Sequence, residues 1–264
     1  MSLDYKSVPV DEGFRIAKAY ARQALAMDET LAEAHASLAW AHFIYDWSWA
    51  DAEREFARAV ELDPQYATAH QWYALLLAAR ERREEALIEA HIAMDLDPAS
   101  TSCRRSTGFV YFYARRYEQS KYHLLRAVAM TPQAEENYRM LGLVLVQLGA
   151  CDEALRVLRR AVDLPGAGSY DVATLGYALG RAGHRTEAQG ILAQLSARRT
   201  TDYVSPVAFA LLHLGLGEWE LALDEAERAL ENRRGWLAFM RVNPVFDPLR
   251  GYARFADIQQ RAGV

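Results

Sequence analysis

Any catalytic or metal chemistry in this 264-residue chain would have to be built from seven histidines, two cysteines and thirty-five carboxylates. The histidines are His35, His42, His70, His91, His123, His184 and His213. His35 and His42 share a helix face, but a metal needs a third and fourth ligand converging on the same point, and no spacing supplies them. Cys103 and Cys151 lie too far apart for a paired zinc ligand set, and neither has a base beside it in sequence to make it a nucleophile. The carboxylate pairs Glu84-Glu85, Glu135-Glu136 and Asp152-Glu153 stand at helix starts, where the helix dipole favours negative charge. Pro165-Gly166-Ala167-Gly168-Ser169 is glycine-rich, yet it lacks the lysine of a phosphate-binding loop and follows a helix. H-E-x-x-H and G-x-S-x-G are both missing from the sequence. The reading is of a chain with no catalytic residues, no metal site and no cofactor.

Composition narrows the classes further. Hydrophobic residues make up 52% and charged residues 25%, the balance of a globular core rather than of a disordered chain. The formal net charge of -5 opposes an open nucleic-acid surface, which needs a basic face to release counterions. Paired arginines such as Arg82-Arg83, Arg115-Arg116 and Arg233-Arg234 read as solvated helix faces and ends. Two cysteines in a chain of this size form no disulfide framework and suit a reducing, cytoplasmic setting. No apolar run is long enough for a transmembrane helix, and Met1 to Val10 has no signal-peptide core. Nucleic acid and membrane are therefore not expected as partners.

The elements that position these residues come from an internal period. Pro64, Pro98 and Pro132 recur every 34 residues, each after a similar ending such as Glu61-Leu62-Asp63 or Asp95-Leu96-Asp97. Small residues keep the same step. One series is Ala52, Ala86, Ser120, Ala154, Ala188 and Ala222. A second is Ala59, Ala93, Ala127, Ala161 and Ala229, broken by Leu195. A third is Ala74, Gly108, Gly142, Gly176 and Ala210. Two antiparallel helices approach closely only where their crossing residues are small. Large apolar residues such as Leu38, Phe56, Leu87, Leu124, Leu141, Leu155, Leu158 and Leu175 then fill the space between. Proline ends the second helix in the early pairs, while the fifth and sixth repeats lack it. Gly149, Gly183 and Gly217 mark the turn inside the pair, where a positive φ suits glycine.

These features resemble the tetratricopeptide repeat family over nearly the whole chain. The resemblance implies an all-α, right-handed α-α superhelix of about six helical hairpins. The first-helix Trp or Tyr of the family is replaced by His35, His70 and Arg104, while Tyr138 fits; the first repeat carries one extra residue around Tyr45-Asp46-Trp47-Ser48-Trp49. The division expected is a tail at 1–10, a solenoid over 11–234, and a C-terminal cap at 235–264. Within the solenoid, 11–27 is a lone helix with Ala17 and Ala24 in the small positions. Hairpins follow at 31–64, 65–98, 99–132, 133–166, 167–200 and 201–234. Asp247-Pro248 reads as the cap and first residue of a closing helix over 248–262. The tail also resembles the C-terminal repeat segments of bacterial signalling proteins. The residues carrying that likeness are Gly215-Leu216-Gly217-Glu218-Trp219, Gly235-Trp236-Leu237-Ala238-Phe239 and Asn243-Pro244-Val245-Phe246-Asp247-Pro248. It implies a regulatory domain attached to a winged-helix, kinase or cyclase output domain elsewhere in a longer chain.

In this architecture the first helices line a concave surface. Residues near the small crossing position give Trp40 and Phe43, then Gln71 and Leu75, then Arg105, Phe109, Phe112 and Tyr113. Arg139, Leu143 and Gln147 follow, and then Tyr177 and Arg181. The lining is aromatic, with Arg105, Arg139 and Arg181 forming a ladder that could grip a carboxylate while aromatics anchor a peptide. The competing reading is that these aromatics fill a tight superhelix, or pack against a further domain. The Lys and Asn clamp of the chaperone-tail-binding subset is absent. The leading expectation is a non-catalytic module that binds a protein or peptide in the groove. A regulatory domain and an element that self-associates into a homo-oligomer remain the alternatives.

Overall fold

A computed structural model describes residues 10–232 and 235–263, so residues 1–9 of the tail expected at 1–10 and the pair Arg233-Arg234 lie outside the described residues. Among the described residues the chain is helical throughout. The helices are α1 (Val10–Met27), α2 (Ala32–Ala41), α3 (Trp49–Leu62), α4 (Ala67–Ala79), α5 (Arg83–Leu96), α6 (Thr101–Tyr113) and α7 (Tyr117–Met130). They continue as α8 (Glu135–Gln147), α9 (Cys151–Val162), α10 (Ser169–Arg181), α11 (Arg185–Arg198), α12 (Pro206–Leu216), α13 (Trp219–Glu231) and α14 (Ala253–Arg261). From α2 onward they pair as antiparallel hairpins, α2–α3 through α12–α13, and successive hairpins stack. No described helix is both long and apolar enough to cross a membrane.

The crossings are made where the small residues fall. Ala52, Ala86, Ser120, Ala154, Ala188 and Ala222 are all fully buried, as are Ala74 and Ala210. A Cβ on Gly108 would stand 2.8 Å from Leu124 Cγ, and one on Gly142 would overlap Leu158. Each leucine thus fills the space its facing glycine leaves. Leu124 and Leu158 are sealed there, contributing about 1.5–3 kcal/mol each. The tightest approach joins α10 to α12, where backbone meets backbone: a Cβ on Gly215 would run into the backbone of Tyr177, and one on Gly180 into the backbone of Gly215.

The turn between paired helices repeats a left-handed residue. Gly149, Gly183 and Gly217 have φ of 73°, 87° and 74°, and Trp47, Glu81 and Arg115 occupy the corresponding turns at 55°, 62° and 64°. The extra residue of the first hairpin is absorbed by a π-helical turn, His42–Asp46, between α2 and Trp47.

Two expectations are corrected. Ala17 is exposed and Ala24 only half-buried; α1 instead buries Phe14 and Ala21. α1 packs on α2, and Phe14 and Ala21 are the residues it buries. The closing helix does not span 248–262. Pro244–Leu249 is a 3₁₀ turn capped by Asn243, whose Oδ1 accepts from Val245 N at 3.0 Å, and α14 begins only at Ala253. Asp247 caps nothing, because its carboxylate accepts from both Arg115 and Arg250.

The segment 235–249 therefore does something other than cover the last hairpin. It turns back through the concave side of the stack. Gly235 abuts Ile44 of the π turn. Phe239 stacks on Tyr113 with centroids 4.9 Å apart and meets Phe43 edge-on at 5.4 Å. Arg241 pairs with Glu81 at 3.0 Å, and Asp247 with Arg115. Gly263, after α14, reaches Trp49. The end of the chain thus closes the superhelix against its first three hairpins.

Glycine substitutions separate the close crossing from the open helix. In urea unfolding, Gly215→Ala is expected to cost about 1–3 kcal/mol or more, since its Cβ meets backbone that cannot yield. Gly190→Ala, in the exposed interior of α11 with nothing within 4 Å, is expected to stabilise by up to about 1 kcal/mol. The same assay tests the left-handed turn. Arg115→Gly and Arg115→Ala both lose Asp247, but the glycine variant is expected to be about 1 kcal/mol the more stable. Equal stabilities would show that the turn stores no strain.

Candidate binding cleft

The first helices bring their inner faces together around a cleft of about 130 Å³. Its wall is made by α2, α4, α6 and α8, the start of α10 and the start of α12, and the returning segment closes it with Gly235, Phe239 and Asn243. Nine of the thirteen residues expected in a groove line it: Trp40, Gln71, Leu75, Arg105, Phe109, Phe112, Tyr113, Arg139 and Leu143. The remaining four do not. Phe43 is buried between Trp49 and Phe239. Tyr177 is buried, its phenol pushed up to about 12 by that burial, and Gln147 donates to its hydroxyl at 3.4 Å. Arg181 is exposed.

Other lining residues escaped the sequence reading. Trp72, Ser106 and Met140 hold one repeat position, and Ser102, Glu136 and Tyr170 another. They lie two and six residues before each small crossing residue, on the same helical face as those expected. A wider stripe at helical spacing would have included them. The contribution of Gly235, Phe239 and Asn243 carries no local signal, because it depends on where the chain end travels.

The arginine ladder is internally neutralised. Each rung reaches to the next hairpin. Arg105 Nη1 pairs with Glu136 at 2.7 Å and donates to Asn137 Oδ1 at 3.3 Å. Arg139 Nη1 pairs with Asp171 at 2.5 Å and lies over the Tyr170 ring, 5.0 Å from its centroid. Gln71, at the same repeat position, donates to Ser102 Oγ and Ser106 Oγ, both at 2.8 Å. Asp171 serves twice, since its other oxygen accepts from the Gly168 amide at 2.8 Å and fixes the start of α10. Burial lowers the Arg105 pKa, a cost that Glu136 offsets only in part. At Arg139 burial lowers the pKa too, but Asp171 and Tyr170 outweigh it and the net shift is upward. Of the cleft's lining, Trp40 Nε1 and Arg139 Nε are buried donors without an acceptor among the described residues. The result is a cleft with an aromatic body (Trp40 and Trp72 at 5.1 Å, then Phe109 and Tyr113) and an excess of donors at one side.

No family model matches the chain, and no curated protein matches it. Solved structures do. The chain is similar to a tetratricopeptide repeat protein from Parabacteroides merdae, with a TM-score of 0.63 at 13% identity, over 97% of this chain and 94% of that one. It is similar to PilF of Pseudomonas aeruginosa, with a TM-score of 0.56 at 18% identity, over 81% of this chain and 96% of that one. A chain of the APC/C hetero-tetramer Cut9–Hcn1 matches with a TM-score of 0.63 at 16% identity, over 94% of this chain and 46% of that one. At these identities the likeness is one of fold, and together with the 34-residue period and its small-residue crossings it gives the chain the fold of a tetratricopeptide-repeat solenoid.

Proposed function

We propose that the chain is a non-catalytic interaction module that holds a short segment of a partner protein in the concave cleft. The observation that carries this reading is the cleft itself, an aromatic pocket on the concave side with donors that lack acceptors. A bound peptide supplies what they lack, backbone carbonyls for the donors and a side chain for the aromatic body. The fold supports the reading as well, since a chain of this fold sits in the Cut9–Hcn1 hetero-tetramer.

The returning segment sets the length of what can be held. Leu237, Phe239, Met240, Val242, Val245, Phe246 and Leu249 are all almost fully buried. Exposing side chains of this kind costs about 1.5–3 kcal/mol each, so their sum approaches the whole stability of a typical domain. The segment is a fixed wall rather than a lid. An extended peptide running the length of the superhelix has no room, and the cleft takes a few residues at most.

Arg105 and Arg139 are poor positions for a test, because reversing their charge breaks buried ion pairs and so probes folding. Phe109 and Trp72 are half-buried and line the cleft without such pairs. Peptides selected from a random library on the full chain are expected to lose at least about tenfold in affinity to Phe109→Ala or Trp72→Ala, a change of about 1.4 kcal/mol. Unfolding midpoints measured alongside establish that each variant is folded. Selected peptides that bind both variants as tightly as the parent would refute the cleft as their site.

A further inference from the structure

The first two hairpins carry a polar pair between first and second helix at one repeat position. In the first, His35 Nδ1 meets Glu55 Oε2 at 2.7 Å, and in the second His70 Nδ1 meets Glu89 Oε2 at 2.5 Å. In the third, the histidine's place is taken by Arg104 and the acid's place by His123. A base–acid pair has become a pair of bases.

The consequences are visible in the side chains. Arg104 Nε and His123 Nδ1 are both buried without a hydrogen-bond partner. His123 is only 7% exposed and stacks on Tyr111 at 5.2 Å. His91 approaches from α5, its ring 6.2 Å from His123 and its Nε2 2.9 Å from the Tyr111 hydroxyl. On α7 the exposed Tyr122 and Arg126 form the rim, with the guanidinium lying over the Tyr122 ring. Among the described residues none of Arg104, Arg126, His91 and His123 takes part in an ion pair, although most arginines of the chain's other inter-helix contacts do. Burial, reinforced by His91, Arg104 and Arg126, pushes the His123 imidazole down to about 4. Plain packing would account for a buried histidine on a tyrosine face. It gives no account of an unpaired arginine and an unpaired histidine facing each other where the two preceding hairpins place an acid.

We propose that the Arg104–His123 position is an oxyanion site, at which a carboxylate or phosphate group from outside the chain takes the place that Glu55 and Glu89 fill in the first two hairpins. Arg104 supplies the permanent charge and His123 a directed ring nitrogen. Arg126 supplies a second charge at the entrance, and Tyr111 holds the imidazole in plane. An acidic side chain of a partner and a free phosphate offer the same chemistry. None of these residues lines the concave cleft, so this site stands or falls independently of the function proposed above.

Thermal unfolding of the full chain tests the site, with sodium phosphate titrated against sodium chloride at equal ionic strength and pH 7. A saturable, phosphate-specific rise in Tm of about 2–4 °C is expected, of the size that about 1 kcal/mol of linked binding gives a chain of this length. The rise should vanish in Arg104→Gln. His123→Glu, which supplies the acid from within, is expected to raise Tm in chloride and to abolish the phosphate response. A hexaglutamate peptide added in place of phosphate identifies the source. Half-saturation at a lower concentration than phosphate assigns the site to an acidic partner segment, and the reverse order to a free ion. No phosphate-specific shift in the parent chain, or an equal shift in Arg104→Gln, overturns the proposal. So does a His123→Glu variant that keeps the full phosphate response.

Discussion

The close crossing of two helices at a small residue governs everything else in this molecule. Where Gly108 or Gly142 faces the second helix, the backbones approach far enough for one leucine, Leu124 or Leu158, to bridge them, and the hairpin becomes a rigid unit. Repeated every 34 residues, that unit fixes the step from one hairpin to the next. The step fixes the curvature, and the curvature decides which side chains meet on the inside. The Gly180–Gly215 contact tightens the last turn of the stack further. That compression points the start of α12, with Ser205 and Val207, into the same cleft as Trp40 of the first hairpin.

Curvature this tight leaves a second problem, the inner apolar surface, and the chain solves it with its own end. The left-handed turn residue shows how. A non-glycine residue there costs about 1 kcal/mol or more, yet the first three hairpins carry Trp47, Glu81 and Arg115 where the later ones carry glycine. Glu81 and Arg115 are the two that ion-pair with the returning segment, through Arg241 and Asp247. A side chain is kept in a strained position because a glycine would have nothing to offer the segment that docks there. The inserted residue of the first hairpin belongs to the same arrangement. Its π turn carries Phe43 and Ile44, which receive Phe239 and Gly235.

Helix positions and crossings were legible in the sequence because they depend on local periodicity. A small residue recurring with a leucine opposite it has one structural meaning whatever lies elsewhere. Most of the cleft was legible for the same reason, since Gln71, Arg105 and Arg139 occupy one position on one helical face. What local pattern could not carry was the path of residues 235–249. Asp247-Pro248 is a sound helix start by its dipeptide chemistry, but a bidentate arginine on a different hairpin competes for the same carboxylate and prevails. Ala17 failed likewise, because the small-residue spacing alone does not say which face of α1 is covered, and the buried residues are Phe14 and Ala21. The charge of the groove was misjudged from one helix at a time. Arg105 and Arg139 look free along their own helices, whereas Glu136 and Asp171 arrive from the next hairpin.

In a solenoid each inward charge sits about one hairpin from its neighbour, so a chain that binds nothing can neutralise its own lining by offsetting acid and base by one repeat. Arg105–Glu136 and Arg139–Asp171 do this, and Gln71 with Ser102 and Ser106 is the uncharged version of the same step. Pairs buried in this way hold the stack in register more than they attract a ligand from a distance. If the cleft holds a peptide as proposed, specificity rests on what the pairing leaves over, the Nε of Arg139 and the indole N–H of Trp40, which have no acceptor among the described residues, set against an aromatic wall. Such a site discriminates by the cost of leaving a donor unpaired. It favours ligands with a correctly placed acceptor over those that merely carry opposite charge.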